Sequence, residues 1–393
     1  MSDESGAHKA NWIALGGLIA LAAGMGIGRF VYTPLLPFME EALGLTKPQA
    51  GIIASVNFLG YLLGALAAAS SVLPGGRRNW LIGALGVSAV STGAMGLTTS
   101  MAVFLSLRFV GGVASAFILV FASALVLDRL AASGRSALSA VHFAGVGVGI
   151  AVSAVLVSGL SAGDFGWQTQ WIASGAVALL ALAAVVWLVP DEVEADRSSA
   201  AHNTAIERRL YALIVAYGLF GFGYVVTATF ISAMVRTAAG LQSIESVVWL
   251  VVGLAAIPSI ALWTWIGRRW GNDRSFALAC IVEAIGVALS VLTTSAMAVL
   301  VAAALLGGTF MGITALGFIY ARDLSAGDPR RSLAFMTAAF GLGQMIGPTF
   351  AGVTYRFGDS FLLPSMVAAA ALLVAAGLVL NLRPRADTKI LRN

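Results

Sequence analysis

Apolar residues run almost continuously along this chain, broken only by short clusters of charged residues, glycine and proline. The unbroken stretches fall at about residues 11–38, 48–72, 79–98, 101–127, 136–160, 168–189, 209–235, 246–267, 275–294, 297–321, 332–355 and 361–382. Each has room for the helix of roughly 20 residues that crosses a hydrocarbon core about 30 Å thick. The period-two alternation of an outer-membrane barrel, in segments of ~10 residues, is not seen. The pattern predicts an all-α polytopic membrane protein of twelve transmembrane helices. The longest polar stretch, Asp191 to Arg209, lies almost at the midpoint. It divides the chain into an N-terminal six-helix bundle (1–190), a cytoplasmic linker (191–208) and a C-terminal six-helix bundle with a cytoplasmic tail (209–393). The first ten residues are polar, and the apolar stretch after them is too long for a signal-peptide core, so the first span is expected to remain in the mature protein.

Composition narrows the class further. Of 393 residues 59% are hydrophobic and 10% charged, against roughly 25% charged in a soluble domain, so the chain cannot cover an aqueous surface. Charge placement carries topology. The N-terminus, the loops holding Arg77/Arg78, Arg129/Arg135, Arg268/Arg269/Arg274 and Arg322/Arg330/Arg331, the linker and the tail hold 18 of the 23 basic residues. The opposite loops hold only Lys47, Arg236 and Arg356. An even number of spans puts both termini on one side, and the positive-inside rule makes that side the cytoplasm. A multi-pass protein of the cytoplasmic (inner) membrane is expected, embedded in the lipid bilayer as a monomer. The net charge of +5 does not point to nucleic acid, because the basic residues sit in short loops and form no stripe. The single cysteine, Cys280, excludes a disulfide framework or a Cys-rich metal site and reads as a packing residue.

The two halves repeat. Gly26, Gly28 and Met39 match Gly221, Gly223 and Met234 at an offset of 195, and Gly163-Asp164 matches Gly358-Asp359 at the same offset. Gly111-Gly112, Arg135-Ser136, Gly145 and Gly147 match Gly307-Gly308, Arg331-Ser332, Gly341 and Gly343 at 196. Six spans separate the copies, so both have the same orientation in the membrane, the parallel relation of two bundles meeting across a central cavity.

The string GIGRFVYTPLLPFM (Gly26 to Met39), echoed by GFGYVVTATFISAM (Gly221 to Met234), resembles the hallmark of the YbfB/YjiJ branch of the major facilitator superfamily. The resemblance extends over all twelve spans and implies the major facilitator fold and a secondary transporter working by alternating access. Arg108 followed by Gly112 is similar to a membrane-embedded element that the resemblance links to proton coupling. Gly76-Arg77-Arg78 resembles the end of a cytoplasmic loop motif that latches the halves, although Ala69 to Leu73 lacks the acidic member of that motif. Gly145, Gly147 and Gly149 lack the Gly-Pro pair of the antiporter motif, so direction stays open, symporter or antiporter.

Two charges lie inside apolar spans. A guanidinium at bilayer centre costs about 2.5–3.5 kcal/mol on insertion scales, so it faces a wet cavity or a partner. At 1.5 Å per residue Arg29 lies roughly 25 Å beyond Trp12, and Arg108 roughly 10 Å in from Met101, which puts both at similar depth. Spans 1, 4, 7 and 10 contain no internal carboxylate, and paired guanidiniums suit carboxylate or phosphate. The expected cargo is therefore a small organic anion. Export of amphipathic drug-like compounds is the alternative, and a non-transporting receptor or scaffold the alternative from another class. Each arginine can instead satisfy backbone carbonyls near Gly26/Gly28 or Gly111/Gly112, and the residues alone leave both readings open.

Tyr32, Tyr224, Thr227 and Gln344 are the remaining substrate-binding candidates, with Thr229, Asn57 and Tyr61 as further polar groups at membrane depth that serve equally well as interhelical donors. Glu283, the only carboxylate well inside a span, and His142 join Arg108 as proton-coupling candidates, with structural burial as the other reading. Asp128 and Asp323 end spans 4 and 10 and are gate or ordinary loop charges. The match of Gly159 to Gly163 to G-x-S-x-G lacks its strand-turn-helix context. No phosphate loop or H-E-x-x-H is present. The chain is not expected to be an enzyme or to hold a metal or cofactor. Its expected partners are a small-molecule substrate and protons.

Overall fold

The structure, a computed structural model, describes residues 2–70, 73–189, 208–325 and 329–381. The linker expected at 191–208 lies outside the described residues, save for Arg208, which opens the helix that follows. Among the described residues twelve helices are long and apolar enough to cross a membrane. Spans 1 to 6 are His8–Leu43, Lys47–Ala68, Arg77–Leu97, Met101–Ala132, Ser136–Ala162 and Trp167–Leu188. Spans 7 to 12 are Arg209–Thr237, Gln242–Trp270, Asn272–Leu292, Ala296–Asp323, Ser332–Tyr355 and Leu362–Leu380.

Local chemistry sets the ends. Span 1 runs past the expected residue 38 to Leu43 because its stop is Gly44 in the left-handed region at φ 63°. Span 2 starts two residues later on a capping box: Thr46 accepts from the Gln49 N–H, the Gln49 side chain accepts from the Thr46 N–H, and Pro48 needs no partner in the first turn. Between these ends the spans are apolar on all sides, as lipid contact requires.

Packing follows the sequence repeat. Within the first half span 4 lies along span 2 and span 1 along span 5; in the second half span 10 lies along span 8 and span 7 along span 11. The halves meet where span 2 packs on span 11 and span 5 on span 8, two contacts that exchange under a twofold relation, and where the end of span 1 crosses span 7. Spans 3 with 6, and 9 with 12, pair at the periphery.

The repeat is sharper in three dimensions than along the chain. A Cβ on Gly112 would overlap the Asn57 carbonyl oxygen, and one on Gly307 the Val252 carbonyl oxygen. Gly112 and Asn57 map onto Gly307 and Val252 at 195, so the two contacts are one contact repeated, one residue out of the offset of 196 read for the glycine pairs. Asp164 and Asp359, the only described non-glycine residues with positive φ, are also 195 apart. In spans 5 and 11 the shared roles shift further. Gly145 and Gly149 abut span 1 as Gly343 and Gly347 abut span 7, an offset of 198, while Gly147 and Gly341 reach across to the other half at Ile257 and Leu62. Glycine spacing alone does not report which helix face each residue occupies, so the simple match paired residues that point in different directions.

The Gly112 contact is backbone on backbone and cannot yield by a side-chain rotation. Gly112→Val is expected to lower stability by about 1–3 kcal/mol, the usual penalty of overpacking. Gly308→Ala, where nothing lies within 4 Å of the added carbon, should be neutral or stabilising. Melting temperatures of the two purified variants check this; equal effects would contradict it.

Candidate functional site

Span 1 is α-helical to Leu21, widens into a π-helical segment at Ala22–Ile27, turns irregularly, and resumes at Tyr32. Pro34 has no N–H for the Phe30 carbonyl, and the Thr33 N–H turns to that carbonyl instead at 3.2 Å. The carbonyls of Gly28 and Arg29 are thereby left without the donors that a regular helix would supply. A stray carbonyl in hydrocarbon costs several kcal/mol, so a break at this depth needs an outside donor. Arg108 of span 4 is that donor: Nη1 reaches the Gly28 oxygen at 3.3 Å and Nη2 the Arg29 oxygen at 3.1 Å. Its backbone is tied in turn to span 2, where Asn57 Nδ2 donates to the Arg108 carbonyl at 2.8 Å.

Arg29 points the other way. Its Nη2 donates to Oε1 of Gln344, on span 11 of the opposite half, at 2.7 Å. Its guanidinium carbon lies 4.0 Å from the ring centroid of Tyr61 and 4.7 Å from that of Phe58, a cation–π cage. The Gln344 Nε2 donates to the Tyr224 hydroxyl. Tyr224, which matches Arg29 in the repeat, is stacked against Phe310 and Phe340 at 5.6 and 5.9 Å. One hydrogen-bonded chain, Arg29 to Gln344 to Tyr224, thus crosses between the halves inside the bundle.

Arg29 and Arg108 line one small pocket, walled by Phe30, Tyr32 and Phe58 and edged by Thr33 and Thr229. The two arginines are 3% and 4% exposed. The lining holds no carboxylate, and the Nε atoms of both arginines are buried without an acceptor. Two positive charges thus line one cavity, each with a donor that has no acceptor, an arrangement whose charge and geometry suit an anion.

The other sequence candidates distribute unevenly. Tyr32 gives the pocket its ring, which stands 5.1 Å from the Arg108 guanidinium, but its hydroxyl is spent on the Ala50 carbonyl at 2.9 Å. Thr227 is buried, with a hydroxyl that has no partner, and does not line the pocket; Thr229 does. His142 lies away from the pocket against Ser123 of span 4, Nε2 to Oγ 3.1 Å. Glu283 is fully buried in the second half near Thr309, whose hydroxyl donates to the Leu305 carbonyl at 2.6 Å, and among the described residues neither carboxyl oxygen has a partner within hydrogen-bond geometry. In the loop motif Gly76 precedes span 3, Arg77 pairs with Asp128 at 3.0 Å, and Arg78 donates to the Val189 and Val186 carbonyls at 2.8 and 2.7 Å. These contacts lie within the first half. Asn272 to Asp323 at 2.8 Å repeats the Arg77–Asp128 link 195 residues later, so the two aspartates brace loops inside their own halves.

Sequence reasoning missed Thr33 and Phe58. Thr33 Oγ1 donates to the Ala228 carbonyl at 2.7 Å across a separation of 195, so equivalent positions of the two repeats touch where the pseudo-twofold axis passes. It also missed the network on the face opposite the termini. Arg236 there meets Glu245 at 3.0 Å, Glu41 of the other half at 3.4 Å and the Phe38 ring at 4.1 Å. Lys47 holds Glu40 at 2.6 Å. The signal was available in the adjacent Glu40 and Glu41 facing the few cations of those loops.

A family model described as "Uncharacterised MFS-type transporter YbfB" matches residues 21–380. Multidrug resistance protein 2 of Bacillus subtilis (strain 168) is 22% identical over 378 residues, 91% of each chain. A putative tartrate transporter of Agrobacterium vitis is 23% identical over 346 residues, 80% of each chain. The crystal structure of the nucleoside transporter NupG superposes with a TM-score of 0.75 at 14% identity, covering 94% of this chain and 99% of that one.

Arg108 is buried machinery for the span 1 break. Arg108→Ala is expected to destabilise the protein by about 3 kcal/mol, the scale for losing bonds from a charged donor to buried acceptors. Unfolding in detergent, monitored by melting temperature, checks it; an unchanged value would show that span 1 holds its break unaided.

Proposed function

The chain belongs to the YbfB-type family of the major facilitator superfamily, transporters of small solutes rather than enzymes, and on that premise we propose that its cargo is a small organic anion bound between Arg29 and Arg108. The observation that carries this reading is the pair of guanidiniums facing one pocket without a carboxylate in its lining. Each can take a carboxylate through its free Nε–H, and the enclosed site makes the attraction stronger than in water. The walls of Phe30, Phe58 and Tyr32 favour a carboxylate with a flat or apolar body, and the hydroxyls of Thr33 and Thr229 suit hydroxylated acids. The similarity to a putative tartrate transporter agrees with an anion. The same aromatic wall and the similarity to a multidrug resistance protein support amphipathic drug-like compounds as a second reading.

Transport proceeds by rocking of the two six-helix halves in the inner membrane, with both termini on the cytoplasmic side. Opening toward the other face has to part Thr33 from Ala228 and Arg236 from Glu41. Proton coupling is assigned to Glu283, a buried carboxyl without a donor in the half that carries Tyr224 and Gln344.

Thermal-shift and calorimetric titrations with gentisate, benzoate, tartrate and succinate test the cargo. At least one should bind the wild type, and Arg29→Ala should weaken it about 100-fold, within the range for truncating one member of a buried charge pair. Retained affinity in Arg29→Ala, or competition by lipophilic cations alone, would sink the anion reading. For coupling, uptake into proteoliposomes should rise with a pH gradient and collapse with a protonophore, and Glu283→Gln should remove the response while leaving anion binding within about twofold. A carrier indifferent to the gradient would refute the role of Glu283.

A further inference from the structure

Arg29 already has an acceptor within the protein. Its Nη2 is engaged by Oε1 of Gln344 at 2.7 Å, an sp² oxygen presented to a guanidinium as a carboxylate oxygen would be. The amide is neutral, fully buried, and belongs to the opposite half of the molecule. Its other end is held by the Tyr224 hydroxyl, and Tyr224 is clamped between Phe310 and Phe340 with interplanar angles of 8° and 5°. A rigid aromatic stack in the second half therefore aims an amide oxygen at the anion-binding group of the first.

We propose that Gln344 is a built-in stand-in for the substrate, occupying the Arg29 fork in the empty carrier and leaving it when an anion binds. This rests on the anion reading above and adds an intramolecular competitor to it. An anionic acceptor forms bonds roughly twice as strong as a neutral amide does, so a carboxylate wins the exchange once it arrives. Until then the amide spares the protein a guanidinium with no oxygen partner on either Nη2 or Nε, the state in which a buried charge is most costly. The Arg29–Gln344 bond also joins span 1 to span 11, so its displacement releases a tie between the halves at the moment of binding. Substrate entry and loosening of the midplane are then one event, and affinity is set by the difference between two acceptors competing for the same Nη2.

Two substitutions at Gln344 in the full-length carrier separate this from a direct ligand contact. Gln344→Met keeps the length of the side chain and removes the acceptor. It should tighten binding of whichever of gentisate, benzoate, tartrate or succinate the wild type binds, by about tenfold, the equivalent of one net hydrogen bond to a charged group. Gln344→Glu makes the competitor itself an anion. It should weaken the same ligand at least about tenfold and raise the ligand-free melting temperature by about 2–4 °C. If either variant fails to fold, Gln344→Asn, one methylene short of Arg29, replaces it with the expectation given for Gln344→Met. Unchanged or weaker binding in Gln344→Met or Gln344→Asn, or unchanged binding in Gln344→Glu, overturns the proposal while the anion reading stands. A wild type that binds none of the four carboxylates overturns both.

Discussion

A backbone carbonyl inside a bilayer has no water to turn to, and that constraint governs the middle of this molecule. Span 1 breaks its hydrogen-bond ladder where glycines and Pro34 interrupt it, and the loose carbonyls of Gly28 and Arg29 are collected by Arg108. The position of span 4 against spans 1 and 2 follows from that need, since the guanidinium has to reach both oxygens while Asn57 holds its own backbone. The break in turn directs the Arg29 side chain toward the opposite half. Arg108 thus serves the backbone of span 1 while Arg29 meets the opposite half at Gln344; both line the same pocket, and each has an Nε–H without an acceptor.

The twofold relation of the halves explains the scaffold, and its violations mark the site. Gly112 on Asn57 and Gly307 on Val252, Arg77 with Asp128 and Asn272 with Asp323, and the positive φ of Asp164 and Asp359 all repeat. These are backbone approaches and loop braces, which two copies of one fold need equally. At the centre the repeats differ. Arg29 is matched by Tyr224 and Arg108 by Ala303, so both guanidiniums come from the first half and the aromatic stack from the second. A pocket at the meeting of two similar bundles becomes chemically asymmetric only through such differences: its arginines and aromatic walls come from the first half, while the second half lines it with Val225, Ala228 and Thr229.

Much of this was legible beforehand. Arg29 and Arg108 stood out because charge is scarce in this chain and an intramembrane guanidinium has few tolerable fates; helical rise alone put them at one depth. Two fates were readable, backbone satisfaction and ligand binding; Arg108 is found in the first, bonded to the Gly28 and Arg29 carbonyls, and both arginines line the pocket. Thr33, Phe58 and the link of Gln344 to Arg29 were not readable in the same way. A threonine, a phenylalanine or a glutamine in an apolar helix is ordinary, and what singles these out is which face of the span meets which neighbour. The charges of the Glu40/Glu41 network with Lys47 and Arg236 were visible in the sequence, but their meeting was not, since it joins the span 1–2 connection to the span 7–8 connection.

Twelve spans, two like-oriented halves, a membrane-embedded chain and the two informative arginines are thus properties of the sequence itself, because hydropathy, span count, repeat offset and rarity of charge are all local or additive quantities. The partners of those residues were decided only by tertiary structure. Rotation of each helix about its axis is set by close packing and by the demand that every buried polar group find a mate. A change of one or two residues in register alters what a position meets without altering the hydropathy of the span: Gly307 abuts Val252 while Gly308 meets nothing, and Gly145 abuts span 1 of its own half while Gly341 abuts Leu62 of the other. That rotation placed Gln344 on Arg29, and no count of residues along the chain contains it.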